Sequence, residues 1–138
     1  PLPCCCRPSG VVMSNTEACP CGLEASYLSC CGRFIDLGAP AQSAELLMRS
    51  RYSAFVRANR AYLLKSWHPD TRPDLDQAEL DRGEWLKLEI LTVKPGLKKS
   101  LVEFKAYYLE AGVQRCLHEI SLFKKVKQRW YYVEALAE

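Results

Sequence analysis

Two tight pairs of thiols, Cys19-Pro20-Cys21 and Cys30-Cys31, constrain this chain more than any other feature of its sequence. The eight residues between the pairs are enough for a turn that brings all four sulfurs to the corners of a tetrahedron around Zn²⁺. Four thiolates leave no corner for water or substrate, so such a zinc is structural rather than catalytic. Gly22 and Gly32 directly follow the pairs and give the backbone the freedom that thiolate knuckles use. Disulfides fit less well. The cysteines crowd into the first 31 residues and only Cys116 lies beyond them, whereas a stapled fold spreads its bridges through the core. The sequence therefore predicts one zinc ion held by Cys19, Cys21, Cys30 and Cys31.

The residues before this site read as an appendage. The first twelve, PLPCCCRPSGVV, precede Met13 in MSNTEACPCG, which reads as a natural start, so residues 1–13 are assigned to an extension outside the fold. Cys4, Cys5 and Cys6 are adjacent and cannot all turn toward one ion without backbone strain. The 138 residues, 49% of them hydrophobic, suit one small domain with a real core plus a small module. Nineteen basic against 16 acidic residues leave only +3, which gives no reason to expect a nucleic acid or an anionic membrane as partner. No apolar run approaches the ~18 residues of a membrane span and no segment has the order of a signal peptide, so the expected location is cytoplasmic.

Periodicity supplies the rest of the architecture. Leu47, Met48, Arg51, Tyr52 and Phe55 recur at helical spacing within residues 43–66, with Ser43 as a cap and a break near Asn59. Arg51 lies in the middle of that apolar stripe, where an arginine needs a partner for its head. Strand alternation follows: Leu86, Leu88 and Ile90, then Val102, Phe104 and Ala106, then residues 117–125 and 130–133, with turns at Pro95-Gly96, at Gly112 and at residues 127–129. Helices first and an antiparallel meander afterwards predict an α+β fold. The phosphate-binding, dinucleotide, nucleophile-elbow and zinc-protease signatures are absent from the sequence.

Cys19-Pro20-Cys21-Gly22 and Cys30-Cys31-Gly32 resemble the SEC-C motif, a small zinc module. Gly32-Arg33-Phe34-Ile35, residues 47–55 (LMRSRYSAF), Trp67-His68-Pro69 and Trp130-Tyr131-Tyr132-Val133 resemble the bacterial YchJ-like proteins, over about residues 17–136. The resemblance implies a SEC-C-like module over 14–36 and a nuclear-transport-factor-2-like domain over 37–138, a cone of helices packed on a curved antiparallel sheet.

Periodicity leaves open which face of the third strand points inward. The resemblance turns Leu117, Glu119, Ser121 and Phe123 inward, which would line the cone with Arg51, Tyr52, Trp67, Phe104, Glu119, Ser121 and Trp130. The ordinary account of Arg51 with Glu119 is a buried ion pair, and that of His68 a locally bonded loop histidine. Lysines in residues 94–99 and 124–129 gather at strand ends, where they commonly protect edges. Three functions are compatible with these residues. The favoured one is a zinc-stabilised accessory protein that docks a protein partner through its knuckle; the others are a small-ligand-binding cone and a cone-fold enzyme using Glu119 or His68.

Overall fold

The computed structural model of the chain describes residues 17–137. The extension assigned to residues 1–13, with Cys4 to Cys6 and Met13, lies outside them, as do residues 14–16 of the expected zinc module. The chain begins with a knuckle in which Cys19 N donates to Ala25 O and Tyr27 N to Glu17 O, at 3.1 and 2.7 Å. It then forms α1 (Gly32–Ile35), α2 (Ala44–Val56), α3 (Arg60–Lys65) and α4 (Gln77–Asp81), followed by β1 (Glu84–Lys94), β2 (Lys99–Glu110), β3 (Val113–Val126) and β4 (Arg129–Ala137).

Local chemistry sets the helix ends. The Ser43 hydroxyl accepts from Leu46 N at 3.1 Å and starts α2. Ala58 at φ 53° ends that helix, and the Asn59 side chain then accepts from Tyr62 N at 3.0 Å to start α3, so the expected break falls at Asn59.

The four strands form one antiparallel sheet in the order β1-β2-β3-β4, which agrees with the α+β meander. The strands run longer than the alternating segments of the sequence. One expectation fails in detail. Leu86 does not share the inward face with Leu88 and Ile90, because a register shift between Trp85 and Lys87 inserts it as an extra residue and leaves it 46% exposed. Trp85, Ile90 and Val93 instead join Leu88 against the helices. A second shift between Ile90 and Thr92 does the same to Leu91.

One contiguous core fills the space between α2 and the sheet. Leu47, Met48 and Tyr52 from α2 meet Val102, Phe104 and Ala106 of β2 and Phe123 of β3. Ser121 and Phe123 are fully buried, so the face of β3 that carries Leu117 and Glu119 is the inner one. On the outer face His118 lies 2.7 Å from Glu103 across the β2–β3 pair, and Cys116 is exposed.

Candidate metal centre and the buried arginine

The sulfurs of Cys19, Cys21, Cys30 and Cys31 all lie within 4.8 Å of one another and all four residues are buried. Four sulfurs about 2.3 Å from a central ion stand about 3.8 Å apart, so the cluster needs only slight contraction to close on a metal. Cys21 Sγ and Cys30 Sγ are already 3.6 Å apart. The donor set thus fits a tetrahedral thiolate-bound cation.

Two backbone features make this arrangement possible. Gly22 turns the chain after Cys21 at φ 95°, a conformation costly for other residues. At Gly32 a Cβ would stand 2.8 Å from Tyr27 O, so only glycine lets α1 start this close to the turn. Hydrogen bonds from Cys21 lead the effects that push the Cys19 thiol strongly down, while desolvation holds Cys30 up and hydrogen bonding with Cys19 holds Cys31 up. A bound cation would favour the thiolate form of the cluster as a whole.

A helix from the main domain completes the centre. Ser53 Oγ lies 3.7 Å from Cys19 Sγ, and Arg49 Nη1 donates to Cys21 O at 2.9 Å. The Arg57 guanidinium sits 3.7 Å from the Tyr27 ring centroid and 3.2 Å from Glu17 Oε1. Arg49 and Ser53 of α2 and Arg57, which caps its C-terminal end, are four residues apart and form one stripe facing the knuckle, while Leu47, Met48, Arg51 and Tyr52 face the sheet. Sequence reading missed these three, although polar residues spaced by four on a helix with a separate apolar stripe were a usable signal.

Arg51 is only 3% exposed. Its Nη1 donates to Leu63 O at 2.9 Å and to Ser66 Oγ at 2.6 Å. Its guanidinium carbon lies 4.7 Å from the Trp67 ring centroid and 4.6 Å from that of Tyr132. Burial lowers its pKa to about 10, which leaves it a cation at neutral pH. The direct Arg51–Glu119 ion pair does not form: among the described residues no carboxylate makes an ion pair with Arg51. Glu119 Oε2 instead accepts from Ser121 Oγ at 2.5 Å and from the Tyr132 hydroxyl at 3.1 Å. Aromatic faces shield the cation where a carboxylate was expected.

Of the other residues expected around the cone, Tyr52, Phe104 and Trp130 share one packed core, and Tyr52 sets its ring 6.0 Å from that of Trp85. Trp130 also lines a cleft of about 50 Å³ with Tyr62, Lys65, Ser66 and Arg129. His68 Nδ1 accepts from Asp70 N at 3.1 Å, and its ring packs edge-on against Tyr131.

Comparison with known proteins places this architecture among others. Residues 43–135 match the family model described as YchJ, middle NTF2-like domain. A UPF0225 protein of Bordetella parapertussis is 46% identical over 126 residues, covering 88% of this chain and 93% of its own length. A UPF0225 protein of Streptomyces coelicolor is 45% identical over 123 residues, covering 86% and 94%. A SEC-C motif containing protein from Rhodopseudomonas palustris, solved in solution, superposes with a TM-score of 0.80 at 31% identity, covering 87% of this chain and 98% of that one. A crystal structure of a SEC-C motif containing protein from Psychrobacter arcticus gives 0.75 at 28% identity, covering 91% and 85%.

Proposed function

This chain belongs to the YchJ-like family, and from that premise we propose that it is an accessory protein in which a structural zinc ion shapes a small docking module for a protein partner. The observation that carries this reading is the closed cluster of four buried cysteines, clamped by Arg49 and Ser53 of α2 and by Arg57 at its C-terminal cap. Zinc suits an all-thiolate tetrahedral site and supplies no redox chemistry or open coordination position there. It would hold the two cysteine pairs together, while Leu23, Glu24 and Ala25 of the intervening loop stay exposed and available to a partner. A reduced, cytoplasmic setting agrees with thiols kept free for metal.

The interior supports docking over catalysis. Glu119 is engaged by Ser121 and Tyr132, His68 is engaged by Asp70 N, and Tyr52, Phe104 and Phe123 fill the space above the sheet. A scaffold accounts for these contacts without calling on a bound substrate.

Metal analysis of the purified chain and of Cys30→Ser tests the reading. The expected result is about one zinc per chain in the native protein and almost none in the variant, because metal binding and local folding are coupled. Unchanged zinc in the variant, or a native protein that takes up no zinc, overturns it.

A further inference from the structure

The modest net charge of the chain conceals a strong segregation. Residues 94–99 read K-P-G-L-K-K and residues 124–129 read K-K-V-K-Q-R, which together hold seven cations and no acid. Of the 19 basic residues seven stand in these two windows, and the 12 elsewhere face all 16 acidic ones. The meander topology puts both windows at one end of the sheet, since one joins β1 to β2 and the other joins β3 to β4. The turns touch: Lys125 N donates to Lys98 O at 2.8 Å, and Leu97, Lys98, Lys125, Lys127 and Gln128 line a shared groove of about 260 Å³. None of the seven cations takes part in an ion pair among the described residues.

Each turn also carries one exposed aliphatic side chain inside its lysines. Leu97 is 91% exposed and Val126 is 39% exposed. At the other end, β1 starts at Glu84 just after α4, and residues 70–84 hold six acids against Arg72 and Arg82. The molecule is therefore polar along the strand direction, cationic at the hairpin tips and acidic where β1 begins.

We infer that this end of the sheet docks on an anionic lipid bilayer, with the lysines at the phosphate level and Leu97 and Val126 entering the headgroup boundary. Charge complementarity selects an anionic partner, and the acidic far end orients the molecule with its tips toward it. The two aliphatic tips select lipid over nucleic acid. Neither window contains an aromatic residue on which bases would stack, and six of the seven cations are lysines, point charges suited to headgroups rather than to planar bidentate recognition. An expectation of no membrane partner rests on the averaged charge, and averaging is what hides the patch. Docking needs no spanning segment, and no helix among the described residues is long and apolar enough to cross a membrane.

Vesicle flotation of the metal-loaded chain tests this, with phosphatidylcholine alone and with about 30 mol % phosphatidylglycerol. The expected result is binding to the anionic vesicles only, lost at high salt. Lys98→Glu with Lys127→Glu should weaken it by at least about fivefold per site. Leu97→Ser with Val126→Ser should weaken it about tenfold with the salt dependence unchanged. Leu97, Lys98 and Lys127 lie in the turns and Val126 ends β3, and matching thermal melts show that the variants are folded. No binding, equal binding to neutral vesicles, or undiminished binding of the serine variant overturns the inference. Displacement of the chain from anionic vesicles by single-stranded poly(U), equally effective on the serine variant, would reassign the patch to nucleic acid and likewise overturn it.

Discussion

Arg51 and Glu119 meet on Tyr132, whose ring carries the guanidinium at 4.6 Å while its hydroxyl donates to the carboxylate at 3.1 Å. The cation and the anion share a phenol instead of a hydrogen bond. That relationship decides how the buried charge should respond to mutation.

Arg51→Met is expected to cost about 1–3 kcal/mol, since it removes two hydrogen bonds and two aromatic contacts but also a desolvated charge. In double-mutant cycles read by denaturant unfolding, Arg51→Met with Tyr132→Leu should show a coupling of about 1–2 kcal/mol, and Arg51→Met with Glu119→Gln less than about 0.5 kcal/mol. A larger coupling to Glu119 than to Tyr132 contradicts the phenol-bridged arrangement.

The buried tyrosines make alkaline pH the weak side of this fold. Burial raises Tyr52 to about 12, and it also raises Tyr62 and Tyr132 above the ordinary phenol value. Their stabilising effect is complete below the unfolded pKa of about 10, and it is lost as pH rises toward the folded values, because only the unfolded chain then releases the protons. Arg51, lowered to about 10, acts in the opposite sense over the same window. Burial raises Tyr27 as well, so four groups against one predict a net loss of up to about 4 kcal/mol per pH unit above pH 10. Phenolate absorbance should therefore rise together with the loss of ellipticity. Ionisation of these tyrosines well before unfolding would show that they are not sealed.

Ser53→Ala should weaken metal retention about 10- to 100-fold while leaving the sheet intact, because it removes a hydroxyl beside Cys19 from outside the ligand set. Competition with a chromophoric chelator measures the first effect and circular dichroism the second. Equal retention in the variant would mean that α2 merely abuts the centre.

Much of this organisation was legible in the sequence. The cysteine spacing, the break at Asn59 and the helix-then-meander order all rest on local chemistry, and local chemistry is what a sequence displays. The anomaly at Arg51 was visible too, but its partner was not. Trp67 and Tyr132 meet Arg51 because a backbone bridge joins residues 65 positions apart, and no periodicity encodes that pairing. Leu86, Trp85 and Val93 escaped for a related reason: a bulge resets the alternation, and the residues on either side look like any strand. The cations of residues 94–99 and 124–129 were each legible, but only the meander makes them neighbours.

The bridge between Trp67 and Tyr132 also bears on how this chain tolerates crowding with its own kind. His68 N donates to Tyr132 O at 2.8 Å and Tyr132 N donates to Ser66 O at 2.9 Å, so the outer rim of β4 is occupied midway along its length by the chain itself. The opposite rim, on β1, is interrupted by its two bulges and carries Lys87 and Lys94. A second molecule seeking to extend the sheet meets a blocked rim on one side and a broken, charged one on the other. The sheet is thereby protected from growing into an aggregate, and concentrated solutions of the folded chain should resist strand-to-strand association.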